Sequence, residues 1–300
     1  MSAETIAAAA AGTWQLGDLV VNRMGFGAMR LTQRGAAFST DATPSDRGQA
    51  IAVLRRAVDL GVNHIDTAAF YFSALRSANE LINSALAPYP DDLVIATKVG
   101  PGRDAWGTWM DVARPDQLRG QVEENMRQLG RDHLDVVNLR RMPSMTSIAE
   151  HVGALAELRD AGLIRHLGIS GVDLADLAEA STVAPVVCVQ NSYSLTSRSS
   201  EPVVTACAEL GIAFVPFFTL AGAGRHQGPP AAEPGQLLEI ARTHEATIAQ
   251  IKLAWTLQHG PHMLAIPGTG NPSHLAENVA AAAVRLTGAE LAVLDALGAP

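Results

Sequence analysis

The feature that most constrains this chain is an alternation, sustained from about Met24 to Ala282, of short apolar runs with longer segments of helical periodicity. The runs VNHID, LVIATKVG, LDVVNLRR, RHLGIS, VVCVQN, IAFVPFFT and HMLAIPGT are nearly all apolar until their last residues. Strands of that kind belong to a parallel sheet covered on both faces, because a wetted face would demand polar residues at alternate positions. Between them lie stretches such as RGQAIAVLRRAVDLG, where Ile51, Leu54, Ala57 and Val58 recur at helical spacing. Helix-closing glycines fall at 61, 130, 162 and 211, each suited to a left-handed cap before the next strand. With GFGAM as the first strand, eight strand units are present, enough to close a barrel. The expected fold is therefore α/β, a (β/α)8 TIM barrel. The opening TWQLGDLVVNRM reads as a β-hairpin turning at Gly17 and Asp18 and plugging the barrel bottom, and TGAELAVLDAL as an extra C-terminal helix. The 300 residues, 48% of them hydrophobic, are read as one barrel domain spanning 1–300.

Charge and composition exclude several function classes. A net charge of -8 without a basic stripe argues against nucleic acid as a partner. No apolar stretch approaches the roughly 20 residues that cross a bilayer, so no membrane role is expected. The run Ala7 to Ala11 lacks a preceding basic segment and a long apolar neighbourhood, so it is a poor signal peptide and reads as a frayed N-terminal tail. Two cysteines, Cys188 and Cys207, show no disulfide spacing, which fits the cytoplasm. No set of His, Cys, Asp and Glu has metal-ligand spacing, so no metal is expected. The segment from Ala221 to Pro234, rich in Gly, Pro and Ala, reads as a long mobile loop on the barrel face that carries chemistry.

Polar side chains interrupt the apolar runs just where the runs end. Asp66 follows VNHI, Lys98 follows LVIAT, Arg140 follows DVVNL and Ser170 follows HLGI, with Tyr71 in the turn after Asp66. Barrels of this class build active sites at strand C-termini, so the chain reads as an enzyme. A lysine at the end of an apolar strand is expensive to bury unless paired, and Asp66 on the neighbouring strand is its natural partner. An ammonium held near Tyr71 favours phenolate, which would bring the phenol's pKa down from about 10 and make Tyr71 a general acid.

The segments VNHIDTAAFY, VIATKVG, LGISG, VVCVQNSY and IPGTGNPSHLAEN, in this order and spacing, resemble the aldo-keto reductase superfamily over nearly the whole chain. The resemblance implies that Tyr71 gives a proton to a carbonyl oxygen while a nicotinamide delivers hydride to the carbon, with Asp66 and Lys98 tuning the tyrosine. The fourth catalytic position departs from the family pattern Leu-Asp-x-x-x-x-His, since LDVVNLR puts Arg140 there. Arg140 shares a strand face with Asn138. As a permanent cation it donates but never accepts a proton, and it either steadies an oxyanion, holds an anionic substrate group, or merely pairs with Asp66. The same replacement, with DVVNLR, CVQNSY and VPFF, is similar to a bacterial branch that includes pyridoxal-reductase-like proteins. That branch implies pyridoxal or a similar small aromatic aldehyde as substrate, and the family resemblance implies a monomer or weak homo-oligomer.

On the cofactor side the resemblance implies that Ser170, Gln190 and Asn191 hold the carboxamide and that Tyr193 stacks on the ring. Gly171 stands at a position that is often Asn. No G-x-G-x-x-G follows an early strand, so the phosphate site is sought in the loop Pro267, Gly268, Thr269, Gly270, at the start of the helix near Pro272. His274 takes the slot of a 2′-phosphate Arg, with Glu277 and Asn278 on the adenine side. NADP(H) is the expected cofactor, and NAD(H) stays open because a neutral histidine grips a phosphate less well than Arg. Phe70, Phe72, Phe217 and Phe218 are expected as apolar walls of the substrate pocket, and Trp106 and Trp109 either wall it or cap their loop against the rim. His64, two residues before Asp66, reads as a packed histidine. Two other readings stand beside the reductase: a nicotinamide-binding sensor with little turnover, and a Schiff-base aldolase using Lys98.

Overall fold

The apolar runs pair side by side in the order in which the chain makes them. In the computed structural model, which describes residues 7–39, 42–220 and 233–298, the sheet runs Phe26–Gly27, His64–Asp66, Val94–Val99, Leu134–Arg140, Ile164–Ser170, Val186–Gln190 and Ala213–Phe214. Every pairing in it is parallel. The eighth run closes the ring: Phe214 bridges Met263, and Met24 bridges Ala265, both in parallel. Gly25 N donates to Ala265 O and Ala265 N donates to Arg23 O, each at 2.8 Å. The result is the (β/α)8 barrel expected from the alternation.

Strand periodicity divides the apolar residues between two compartments. Val94, Ala96, Val136, Cys188, Ala213, Val215 and Leu264 point into the barrel and pack on Leu16 and Val21 of the N-terminal hairpin. The alternate positions, Ile65, Ile95, Val137, Leu139, Ile169 and Val189, pack outward among the helices. Each such fully buried aliphatic side chain contributes about 1.5–3 kcal/mol. The inward set matters for function. Two residues beyond Ala96 the same face carries Lys98; beyond Val136 it carries Asn138 and Arg140; beyond Cys188 it carries Gln190.

The hairpin Thr13–Leu16 and Leu19–Asn22 is antiparallel and closes the far end. Its turn needs glycine twice over. Gly17 has φ +66, and a Cβ there would fall 2.2 Å from the His166 ring. Asp18 at the tip accepts hydrogen bonds from Arg165 and His166, which fastens the hairpin to the fifth strand. Residues Ala8–Ala11 form a 3-10 turn rather than a frayed tail. Ala8 and Ala11 are buried, Ala8 N donates to Leu60 O at 2.8 Å, and Arg285 donates to Ala10 O at 2.6 Å. Methyl side chains allow that close approach, so the alanines are packing residues.

The C-terminal helix is present over Gly288–Leu297, capped by Thr287. The loop expected from Ala221 to Pro234 lies almost wholly outside the described residues. Helices Gly235–Thr243 and Ile248–Gln258 then lead to the eighth strand. Among the described residues no helix is long and apolar enough to cross a membrane.

Candidate active site

The C-terminal ends of the strands open into a cavity of about 640 Å³ whose lining includes Asp66, Tyr71, Lys98, Arg140, Ser170 and Gln190. Lys98 Nζ donates to Asp66 Oδ1 and, at 3.1 Å, to Thr67 O. The second Asp66 oxygen accepts from Gln190 Nε2 at 2.6 Å. One carboxylate thus ties the second, third and sixth strands. Lys98 Nζ stands 5.0 Å from the centre of the Tyr71 ring. All three residues are buried, with Lys98 7% and Tyr71 9% exposed. An unpaired charge so placed would cost several kcal/mol, and the carboxylate offsets it.

The electrostatics assign protonation states. Burial alone would push the Lys98 ammonium down, but the charge and hydrogen bond of Asp66, with help from Tyr71, outweigh it and hold the pKa above its ordinary value. Lys98 is therefore a cation across the neutral range. A Schiff-base nucleophile must be a free amine, so the aldolase reading loses its central group. For Tyr71 the expectation of a lowered pKa is corrected. Burial drives the phenol up, Lys98 pulls it down, Asp66 pushes it up again, and the balance lies above the ordinary value. Desolvation of the phenolate outweighs one neighbouring ammonium that is itself already neutralised by Asp66.

Arg140 ends the fourth strand and faces the cavity. It does not pair with Asp66, whose oxygens are taken by Lys98 and Gln190. Its Nη1 donates to Ser170 Oγ at 3.1 Å, and its guanidinium lies 5.1 Å from the centre of the Phe217 ring. Among the described residues it makes no ion pair. Burial lowers its pKa, yet a guanidinium stays charged at any physiological pH.

Of the residues expected on the cofactor side, Ser170, Gln190, Pro267 and Gly268 line the cavity. Gln190 Oε1 is buried without a partner. Gly27 and Gly268 cross in backbone contact, since a Cβ on Gly268 would fall 2.4 Å from Gly27 O. Thr269 and Gly270 form the turn before helix Pro272–Ala280, where Asn271 caps the first turn by accepting from Ser273 N. His274 and Glu277 are exposed on that helix, whereas Asn278 is buried. Asn191 and Tyr193 are corrected. Asn191 faces the turn after Ser170, accepting from Gly171 N at 2.9 Å and Val172 N at 3.1 Å and donating to Val172 O at 2.7 Å. Tyr193 is fully buried, stacked on Trp255, with its hydroxyl bonded to Glu201 and His259. Beyond Gln190 the chain has left the strand, so Tyr193 points among the helices and does not line the cavity.

The aromatic wall differs in part from the expected one. Phe70, Trp109, Phe217 and Phe218 line the cavity, joined by Phe38. Phe38 packs 5.1 Å from Trp109 and 5.9 Å from Tyr71, and Phe70 packs 5.2 Å from Tyr71, between ring centres. Phe72 does not line the cavity; it lies 4.5 Å from the guanidinium of Arg103. Trp106 is 80% exposed and stands outside. Arg103, Phe38 and Arg30 gave no signal in the sequence. Arg30 also lines the cavity, and a Cβ on Gly270 would lie 3.6 Å from its carbonyl oxygen. Short loops without periodicity hide such residues.

A sequence model of the Aldo/keto reductase family matches residues 23–299. The chain belongs to the aldo/keto reductase family. Among relatives of this reductase, the pyridoxine 4-dehydrogenase of Escherichia coli (strain K12) is 42% identical over 291 residues, covering 95% of this chain and 98% of the relative. A crystal structure of the thermostable aldo-keto reductase Tm1743 with the inhibitor epalrestat superposes with a TM-score of 0.80 at 30% identity, covering 95% of this chain and 99% of that one. An aldo-keto reductase from Klebsiella pneumoniae in complex with NADPH gives 0.77 at 29% identity, covering 93% and 92%. Family membership makes the chain an NAD(P)H-dependent oxidoreductase.

Proposed function

We propose that this aldo/keto reductase uses NADPH to reduce small aromatic aldehydes of the pyridoxal type, with Tyr71 as the proton donor. The observation that carries the reading is the chain Tyr71, Lys98, Asp66 opening on an aromatic cavity. The protein residues fit the cofactor. Ser170 and Gln190 line the cavity and offer a hydroxyl and an amide for a carboxamide, with Gln190 Oε1 left without a protein partner while Nε2 is anchored on Asp66. The glycine contact at 27 and 268, Arg30, and the N-terminus of helix Pro272–Ala280 offer backbone donors and a cation for phosphate. A bound nicotinamide supplies the hydride.

The rest of the work falls to the side chains. Tyr71, kept protonated by burial, hands its proton to the carbonyl oxygen, and the phenolate left behind faces the Lys98 ammonium. Asp66 holds that ammonium in place. Phe38, Phe70, Trp109 and Phe217 offer ring faces to a flat substrate and keep water from the oxygen. NADP(H) is preferred in this reading because Arg30 offsets the weak His274, and because the Klebsiella pneumoniae neighbour was crystallised with NADPH. Pyridoxal is the substrate suggested by the relative named pyridoxine 4-dehydrogenase.

The test is loss of NADPH absorbance with pyridoxal and simple benzaldehydes, for the parent and for Tyr71→Phe. The parent is expected to turn over, and Tyr71→Phe to lose about 10²–10⁴-fold in kcat. Turnover that persists in Tyr71→Phe would sink the assignment of the acid. A parent inert with every aldehyde, yet binding NADPH, would favour the sensor.

A further inference from the structure

Gly171 has no contact with the reacting groups, yet its geometry decides where Arg140 sits. The residue has φ +72, a left-handed conformation in which side chains are strained. A Cβ placed on it would fall 2.6 Å from Arg140 Nη1 and 2.9 Å from Arg140 Cζ. The Nη1 side of the guanidinium therefore occupies the space that a side chain at residue 171 would take. The backbone beneath it is itself braced: Gly171 N donates to Asn191 Oδ1 and to Gln190 O, each at 2.9 Å. From that seat Nη1 reaches Ser170 Oγ, and the Phe217 ring covers one side. Among the described residues Ser170 is the hydrogen-bond partner of this guanidinium, and no carboxylate pairs with it. A guanidinium has five donors, and half-buried Arg140, which lines the cavity shared with Tyr71, uses one of them on Ser170 among the described residues.

We propose that Gly171 is a positioning residue whose missing side chain seats the Arg140 guanidinium, so that its free donors hold an oxygen acceptor of the substrate beside Tyr71. The proposal rests on the reading of this cavity as the carbonyl site. It makes residues 140 and 171 one device: the cation without the glycine is turned away from the oxygen, and the glycine without the cation has nothing to seat. Any side chain at 171 would be accommodated by moving the far end of the arginine, since that end is the atom group it meets.

Benzoate, which presents a carboxylate where an aromatic aldehyde presents its carbonyl, is the probe. Its affinity for the NADP-loaded protein is measured by calorimetry for the parent, Arg140→Met, Gly171→Ala and the double variant. Gly171→Asn is added because Asn tolerates the left-handed backbone while keeping the Cβ, which separates displacement of the arginine from backbone strain. Each single variant is expected to weaken benzoate about tenfold or more, and the double variant to be no weaker than Arg140→Met alone. Such non-additivity is the signature of two residues acting through one contact. A Gly171→Ala or Gly171→Asn protein that binds benzoate within twofold of the parent overturns the proposal. So does an equal loss in the Arg140→Met background, or a parent that does not bind benzoate. The readout is binding, so it stays legible in variants without turnover. Failure of the reductase reading shows elsewhere, as absence of Tyr71-dependent NADPH oxidation.

Discussion

At the scale of single residues, the protonation states of Tyr71 and Arg140 make a distinctive pH profile. Tyr71 must carry its proton to act as an acid, and its pKa is raised. The rate of aldehyde reduction is therefore expected to stay level through neutral pH and to fall only above the ordinary tyrosine range, near pH 10. Alcohol oxidation needs the phenolate and should rise over the same interval. Arg140 titrates nowhere in that range, and His64, the titratable neighbour of Asp66, is held down to about 4. A kcat profile with an inflection between about pH 6 and 7 would contradict this assignment. Residue types and order made Asp66, Lys98 and Arg140 legible, because each breaks an apolar run, and Tyr71 legible because it follows Asp66 in the turn. The misplacements came one step later. In a strand, direction follows from parity; past the strand's end parity lapses, and Asn191 and Tyr193 turned elsewhere.

Among the elements, the substrate wall is assembled from three loops that one side chain joins. Arg103 donates to Phe72 O at 2.7 Å, Phe70 O at 3.3 Å and Gly107 O at 2.9 Å. Its guanidinium lies 5.4 Å from the Phe38 ring and 5.7 Å from the Trp109 ring. Phe38 is itself held at φ 65, an uncommon conformation for an aromatic residue, so its placement depends on such neighbours. Each hydrogen bond from a charged donor contributes about 1.5–3 kcal/mol and each cation–π contact about 0.5–1 kcal/mol. Removing Arg103 releases all three loops at once, including the turn that carries Tyr71 between Phe70 and Phe72, while Lys98 and Asp66 stand on strands and keep their ion pair. Arg103→Ala is expected to raise KM for aromatic aldehydes about tenfold with KM for NADPH changed less than twofold. Steady-state kinetics with both substrates varied would reveal it, and equal effects on the two would show that the clamp supports the whole site. Arg103 was illegible in the sequence because its partners are backbone carbonyls and ring faces, which leave no spacing pattern.

For the whole molecule, the barrel was legible because its alternation is long and each piece repeats the same instruction: apolar run, polar end, amphipathic helix, glycine. All four glycines expected to cap helices, at 61, 130, 162 and 211, have positive φ. What the alternation did not reveal is how the barrel's closed end is fastened, and His64 lies there. It starts the second strand, is buried, and bonds through Nδ1 to Asn22 O of the hairpin at 3.0 Å, with Nε2 buried and without a partner. Burial is the main cause that lowers its pKa from 6.5 to about 4, against the bond to Asn22 and the charge of Asp66. In the unfolded chain the imidazole takes up a proton as pH falls below about 6.5. In the barrel it resists protonation until about 4. Between those values the unfolded state binds more protons, so stability is full above about pH 6.5 and declines as pH falls toward 4, by about 3 kcal/mol in total. His262, likewise depressed by burial, adds to the same acid limb. Chemical denaturation of the parent and of His64→Gln at steps from pH 8 to pH 4 tests the assignment. The variant, lacking the ring's packing, is expected to start less stable at pH 8 and to lose less on acidification. Parallel curves would mean that the hairpin plug is held by groups other than His64, and that its buried imidazole is not what makes the closed end sensitive to acid.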